Sequence, residues 1–315
     1  MTLNGKTILV TGAAGFTGSH LSRELVKQGA GVKAYVKRGS SLHNISDILN
    51  KVQLIKGDIL DMPSLLSAMK NVDLVFHVAA IVPVQESRDL PYLSTQVNTV
   101  GTFNVAWTAA QTGVSKMLYT STCHVYVSQP DSALPTNESA IPNPLDIYSA
   151  TKYAGEVMLK HFINEGVMDV IITRAFNKYG PNQVGSWLFP QIIRKALTMD
   201  KFTAGNPDNT RDYSYIDDII EGYIAVMDKG KNGDIFNLAS GKEHTVKQIV
   251  EKIVEASGRK VTVEWEKAFR KVDIPRSYGD YSKAKKVLGW QPKTSLDEGI
   301  SKTVEWWKQH PELLK

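Results

Sequence analysis

The chain has 315 residues, enough to bury a full core in one large domain or in a large domain with a smaller lobe. Its 37 basic and 32 acidic residues leave a net charge of +5 without a long block of like charge, which argues against a nucleic-acid tail and suits ligands that carry phosphate. A single cysteine, Cys123, excludes an internal disulfide framework, and the longest apolar run, Val72 to Val84, is interrupted by Asp73, His77 and Pro83; the expectation is a cytoplasmic protein that binds neither nucleic acid nor membrane.

Short β-branched runs alternate with helix-length segments through the first half: Thr7 to Thr11, Val32 to Val36, Val52 to Ile55, Leu74 to Val78, Met117 to Thr120 and Val170 to Thr173. This alternation predicts right-handed crossovers and an α/β fold whose parallel sheet is covered on both faces. Beyond about Arg174 the rhythm changes. Pro181, Pro190, Gly205 and Pro207 punctuate longer polar stretches, a strand is expected near Ile235 to Leu238, and amphipathic helices over Thr245 to Ser257 and Leu296 to Gln309.

The first strand runs into Thr11-Gly12-Ala13-Ala14-Gly15-Phe16-Thr17-Gly18, after which helical periodicity begins. Glycine serves such a turn by permitting the tight bend, the approach of backbone to a pyrophosphate and the close packing of helix on strand. The helix start then offers free N–H groups and a positive dipole end. An ordinary strand-to-helix turn is the alternative, but the position at the first strand of the alternating run favours a dinucleotide site built on Gly12, Gly15, Phe16, Thr17 and Gly18. At the end of the second strand Lys37 and Arg38 stand where a ribose-binding carboxylate is expected, which favours NADP and leaves NAD possible. A solvated surface is the other reading of these two cations.

Downstream of the fifth strand lies Ser121-Thr122-Cys123-His124, and Tyr148-Ser149-Ala150-Thr151-Lys152 opens a helical segment. Residues four apart share a helix face, so Lys152 lies one turn above Tyr148. A tyrosine must fall from a pKa of about 10 toward 7 to act as a base at neutral pH, and two nearby cations in a dry site supply about 4 kcal/mol. Such a pair in isolation is common on helix surfaces. Cys123 and His124 read either as packing or as a proton carrier facing the ligand.

The spacing Gly-x-x-Gly-x-x-Gly, Gly57-Asp58 after the third strand, His77-Val78-Ala79-Ala80 after the fourth and the Tyr148/Lys152 pair together resemble the extended short-chain dehydrogenase/reductase family, in its NAD(P)-dependent nucleotide-sugar epimerase/dehydratase branch, over nearly the whole chain. The resemblance implies a Rossmann-type doubly wound sheet with a smaller mixed α/β C-terminal lobe. Residues 1–174 with about 215–240 would hold the dinucleotide, and 175–214 with 241–315 a nucleotide-diphosphate sugar. Asp58 would lie by the adenine, Ile59 would also bind the cofactor, Ala79 and Ala80 would lie along it, and Asn98 would support the active site. Thr122, Tyr148 and Lys152 would form the catalytic set, with Cys123 and His124 as further candidates.

Three later segments carry the resemblance into the substrate side: Arg174 through Pro181, Arg211 through Asp218, and Arg270-x-x-Asp273. It implies that Asn177, Arg211 and Arg270 hold the diphosphate, a task suited to the planar guanidinium fork. Ser277 falls where some relatives place a bulky wall residue. Gly289 and Trp290 read as a helix stop and as packing. Related dehydratases put an acidic residue after the threonine, where this chain has Cys123-His124. C4 epimerisation is therefore expected ahead of 4,6-dehydration, reduction or decarboxylation, with a non-catalytic NADP sensor as the reading from a different class. The resemblance also implies a homodimer paired through helices at about Thr95 to Thr112 and Tyr148 to Asn164, and no metal.

Overall fold

The computed structural model describes residues 3–82, 84–126, 129–266 and 274–314. Arg270 and Asp273 lie outside the described residues. Six strands precede the change of rhythm, β1 (Thr7–Thr11), β2 (Gly31–Val36), β3 (Gln53–Lys56), β4 (Leu74–His77), β5 (Lys116–Thr122) and β6 (Asp169–Ala175). Short strands follow as β7 (Asn177–Tyr179), β8 (Lys201–Ala204), β9 (Thr210–Arg211), β10 (Tyr213–Tyr215), β11 (Ile235–Leu238), β12 (His244–Thr245) and β13 (Thr262–Trp265). The helices are α1 (Phe16–Lys27), α2 (Met62–Ala68), α3 (Val84–Asp89), α4 (Pro91–Thr95), α5 (Gly101–Gln111), α6 (Ile147–Glu165), α7 (Leu188–Thr198), α8 (Ile216–Lys229), α9 (Val246–Ser257), α10 (Ser282–Leu288) and α11 (Leu296–Lys308).

Seven parallel strands make one sheet in the order β11-β6-β5-β4-β1-β2-β3. Alternate residues of β1 feed opposite cores. Ile8 and Val10 pack with Leu21 and Leu25 of α1 and with Ile219, Tyr223 and Val226 of α8. Leu9 packs on the other face with Leu65 of α2, Val105 and Ala109 of α5, and Leu159 and Phe162 of α6. Thr11 pairs with Tyr35 of β2 on one side and with His77 of β4 on the other. The connections leaving β1 and β4 diverge there, and the crevice at such a reversal is where open α/β sheets bind ligands.

Two differences from the expected elements bear on the site. The helix expected from Thr95 to Thr112 is broken by a π-helical turn, Gln96–Val100, between α4 and α5. Its cause is tertiary: the Asn98 side chain accepts from Ile81 N (2.8 Å) and donates to Ile81 O (3.0 Å) and Thr151 Oγ1 (3.1 Å), which fixes the turn against two other segments. Widened turns of this kind are frequent at functional sites. The fifth strand also runs two residues further than its expected end at Thr120, since Ser121 and Thr122 pair with Arg174 and Ala175 of β6.

Outside the main sheet, β7 pairs with β10, β9 with β12 and β8 with β13. Gly289 ends α10 in the left-handed region, with φ 71°. Trp290 is buried and donates its Nε1–H to Asp218 O at 2.8 Å. Among the described residues no helix is long and apolar enough to cross a membrane.

Candidate active site

The glycine turn makes a cradle because two of its positions accept no side chain. Gly12 has φ 70°, and a Cβ there would lie 2.9 Å from the Cα and N of Ala79. A Cβ on Gly18 would overlap Gly12 O, so the start of α1 packs directly on the turn. The Gly15 position before α1 carries no side-chain cap, which leaves the N–H groups of the first turn, from Phe16 to Gly18, aimed at the crevice. Free donors, a dipole end and close backbone approach fit a dinucleotide pyrophosphate. Ala79, just after β4, faces the turn, and Ala80 follows it. Asp58 accepts from Leu60 N through Oδ1 (2.9 Å) and receives the Tyr35 hydroxyl on its carbonyl (2.8 Å), which fixes the turn where Ile59 is buried. Lys37 and Arg38 stand exposed just after β2.

A buried relay joins this cradle to α6. Thr11 Oγ1 receives Val78 N (3.1 Å) and Ala79 N (3.2 Å), so its own proton goes to His77 Nδ1 at 2.8 Å. Thr102 Oγ1 donates to Asn98 O (2.7 Å), so His77 Nε2 must donate to Thr102 across 3.0 Å. These bonds set the imidazole tautomer, and burial holds its pKa well below the ordinary histidine value. His77 is therefore a neutral strut.

Thr122 ends β5, and Tyr148 and Lys152 lie on the buried face of the first turns of α6. A capping box, Asp146 accepting Ser149 N at 2.8 Å and Ser149 Oγ accepting Asp146 N at 3.2 Å, fixes where that helix starts. Burial pushes the Tyr148 phenol above its ordinary pKa, and a hydrogen bond with Thr122 opposes this. Burial also lowers Lys152 to about 7, with Lys178 lowering it further and Glu156 raising it. Its Nζ sits 4.2 Å from the centre of the Tyr119 ring. In the protein by itself the phenol is thus not yet a base.

Beyond this set lies a pocket lined by Cys123, His124, Tyr126, Asn177, Arg211 and Ser277, among others. Asn177 is placed by β7 and donates to Asp212 O at 3.1 Å. Arg211 on β9 is held by Ile274 O at 2.6 Å. His124 meets the Tyr148 ring edge-on at 5.9 Å; burial lowers its pKa, and Asp146 and a hydrogen bond with Asn177 raise it. Burial pushes the Cys123 thiol up to about 12, while Arg211, Lys178 and a hydrogen bond with Thr122 act to lower it, which in the protein by itself favours the thiol over the thiolate.

The family model described as GDP-mannose 4,6 dehydratase matches residues 9–303. The chain belongs to that family. A UDP-glucose 4-epimerase of Mycolicibacterium smegmatis is 36% identical over 311 residues, covering 95% of this chain and 98% of the relative. The crystal structure of a Thermotoga maritima UDP-glucose 4-epimerase with UDP-glucose has a TM-score of 0.90 at 30% identity, covering 97% of this chain and 99% of that one. DesIV of Streptomyces venezuelae, a dTDP-glucose 4,6-dehydratase solved with NAD, has a TM-score of 0.92 at 27% identity, covering 98% and 100%. The chain is thus an enzyme of the nucleotide-sugar epimerase/dehydratase branch of the short-chain dehydrogenases.

For a member of this family, several groups at the site were not singled out by sequence reasoning. Lys178, between Asn177 and Tyr179 on β7, is lowered to about 8 by burial and acts on both Lys152 and Cys123. Asp212 is fully buried, and burial raises it to about 6 although Ser240 N (2.8 Å), Gly241 N (2.9 Å) and Gly279 N (3.3 Å) all donate to it. Arg276 spans the pocket rim to Asp131 (3.0 Å) and Glu243 (2.7 Å).

Proposed function

We propose that the chain epimerises a nucleotide-diphosphate sugar at C4 through a transient 4-keto sugar. The observation that carries this is the convergence of Thr122, Tyr148 and Lys152 beside the β1/β4 crevice, with a histidine and not a carboxylic acid facing Tyr148 from the next segment. When bound, the nicotinamide dinucleotide supplies the two-electron oxidation of the sugar carbon and its reversal. Gly12, Gly15, Phe16, Thr17 and Gly18 would hold its pyrophosphate, with Asp58, Ile59, Ala79, Ala80 and Asn98 along it. Tyr148 takes the proton of the sugar hydroxyl and later returns it, Thr122 hydrogen-bonds the same oxygen, and charge on Lys152 favours the phenolate. Asn177, Arg211 and Arg270 hold the diphosphate. Residues 1–174 with 215–240 thus serve the cofactor and the remainder the nucleotide sugar.

Lys37 and Arg38, exposed at the end of β2, support NADP over NAD. Exposed Trp107 on α5 and Val157 and Met158 on α6 support a homodimer through those two helices. The buried free thiol of Cys123 suits the cytoplasm. Catalysis in deuterated water with UDP-glucose, dTDP-glucose and GDP-mannose tests the reaction: simple 4-epimerisation returns an unlabelled C4 epimer. Deuterium at C3, C5 or C6 that disappears in His124→Asn would overturn it in favour of dehydration or a related proton transfer.

A further inference from the structure

The described residues hold one ion pair in which both side chains are nearly fully buried, and it lies directly behind the site. Glu156 is 2% exposed and Arg174 3%. Arg174 grips the carboxylate with Nε on Oε1 (3.0 Å) and a terminal nitrogen on Oε2 (2.6 Å), the bidentate geometry. Such a pair is a weak device for stability, because desolvating two charges offsets most of their attraction. Its contacts point elsewhere. Glu156 stands one helical turn beyond Lys152 on α6, and its Oε1 also accepts the hydroxyl of Ser121 (2.5 Å), the neighbour of Thr122 on β5. Arg174 lies 4.7 Å from the centre of the Tyr126 ring, a pocket-lining group whose hydroxyl donates to Asn237 Oδ1 at 2.8 Å.

We propose that Glu156 is a positioning residue for catalysis: through Ser121 and Arg174 it holds the Thr122 strand end against the Tyr148/Lys152 face of α6, and its charge keeps Lys152 an ammonium. The proposal rests on the catalytic reading of those three residues. The groups facing Lys152 are Tyr148 and Glu156 of α6, Tyr119 of β5, His77 of β4 and Lys178 of β7, with Arg174 of β6 behind Glu156. Of these, Glu156 is the carboxylate; His77 is neutral and Lys178 repels. Loss of Glu156 therefore leaves Lys152 easier to deprotonate, and Lys152 already titrates at about 7.

Two variants separate this role from packing. Glu156→Gln keeps the shape and removes the charge, and Glu156→Met/Arg174→Met replaces the whole pair by apolar groups, a change that buried pairs often tolerate without loss of stability. The proton on Lys152 is read directly by isotopic labelling of the lysines with 13C at Cε and the pH dependence of the Lys152 chemical shift across pH 5–10, the resonance assigned by its loss in Lys152→Arg. The midpoint for Lys152 is expected to fall by about one pH unit in Glu156→Gln. In the folded double variant, kcat on UDP-glucose at pH 8 is expected to drop about tenfold with KM changed less than about threefold, as for a group acting on the transition state. An unmoved midpoint in Glu156→Gln, or wild-type kcat in the folded double variant, overturns the proposal. Because the chemical shift reads the lysine itself, a wild-type enzyme inactive on UDP-glucose would count against that substrate while the Lys152 midpoint still decides the role of Glu156.

Discussion

Lys178→Met is expected to make the protein more stable at neutral pH, an unusual direction for a substitution at an active site. The amine sits among Cys123 and Lys152, and burial lowers its pKa from 10.5 to about 8. At about 1.4 kcal/mol for each tenfold, that difference is about 3 kcal/mol of penalty on the charged form. The residue is only partly buried, so we halve the figure for solvent screening, to about 1.5 kcal/mol. The sign follows from proton counting. Between about pH 8 and 10.5 the unfolded chain binds the Lys178 proton and the folded chain does not, so wild-type stability rises with pH across that window. Below about 8 both states hold the proton and the penalty stands in full. The advantage of methionine is therefore greatest at pH 7 and gone above about 10.5. Differential scanning calorimetry at pH 7 should show a melting temperature about 3 °C higher for the variant. Removing the repulsion should also raise the pKa of Lys152. A gain that stayed constant from pH 7 to 10.5, or no gain at pH 7, would refute the electrostatic reasoning.

Four further expectations concern binding and catalysis. Tyr148→Phe should lower turnover by at least about a hundredfold, as for loss of a general base, with cofactor affinity retained by calorimetry; near-normal turnover would sink its assignment. Arg211→Ala should weaken UDP or dTDP binding by about 1.5 to 3 kcal/mol, the range for hydrogen bonds to charged groups, and Arg270→Ala should do the same if it contacts the diphosphate; unchanged isotherms would count against either. NADP should bind more tightly than NAD, by a margin that shrinks as salt screens Lys37 and Arg38, whereas equal affinities at low salt would mean that these side chains serve only as surface. Light scattering at micromolar concentration should give a dimer that Val157→Asp disrupts, and monomeric wild-type protein would dismiss the α5/α6 pairing.

The parts of this site legible in the sequence are those whose demands are local. Gly12 is required by a positive φ and by the backbone of Ala79 against it, and a glycine-rich turn after a β-branched strand announces both. Tyr148 and Lys152 are visible because a helix places residues four apart on one face. Lys178 could not be distinguished from any other of the 37 basic residues, because its character comes from burial beside Lys152 and Cys123, which lie tens of residues upstream. The π turn at Asn98 was hidden for a similar reason, since its partners Ile81 and Thr151 are 17 and 53 residues away. The thiol of Cys123 stayed open in the sequence because nothing local fixes how dry its surroundings are.

What brings the distant pieces together is the direction of the strands. In a parallel sheet every carboxyl end lies on the same edge, so segments far apart in the chain emerge side by side. Gly12 follows β1, Ala79 and Ala80 follow β4, Thr122 closes β5, Asn177 follows β6, and Ser240, which donates to Asp212 beside Arg211, follows β11. The adjacency of β1 and β4 brings Gly12 against Ala79, and that of β4 and β5 puts the ends of the strands that lead to Ala79 and to Thr122 side by side. The order of strands in the sheet is therefore also the order of the site across its mouth, from the glycine turn assigned to the dinucleotide, through the threonine assigned to the sugar hydroxyl, to the residues assigned to the diphosphate. A substitution that altered the pairing of β5 with β6, where Ser121 meets Arg174, would shift the middle of that series relative to both ends, which is why the buried Glu156 that joins Ser121 to Arg174 bears on catalysis more than on packing.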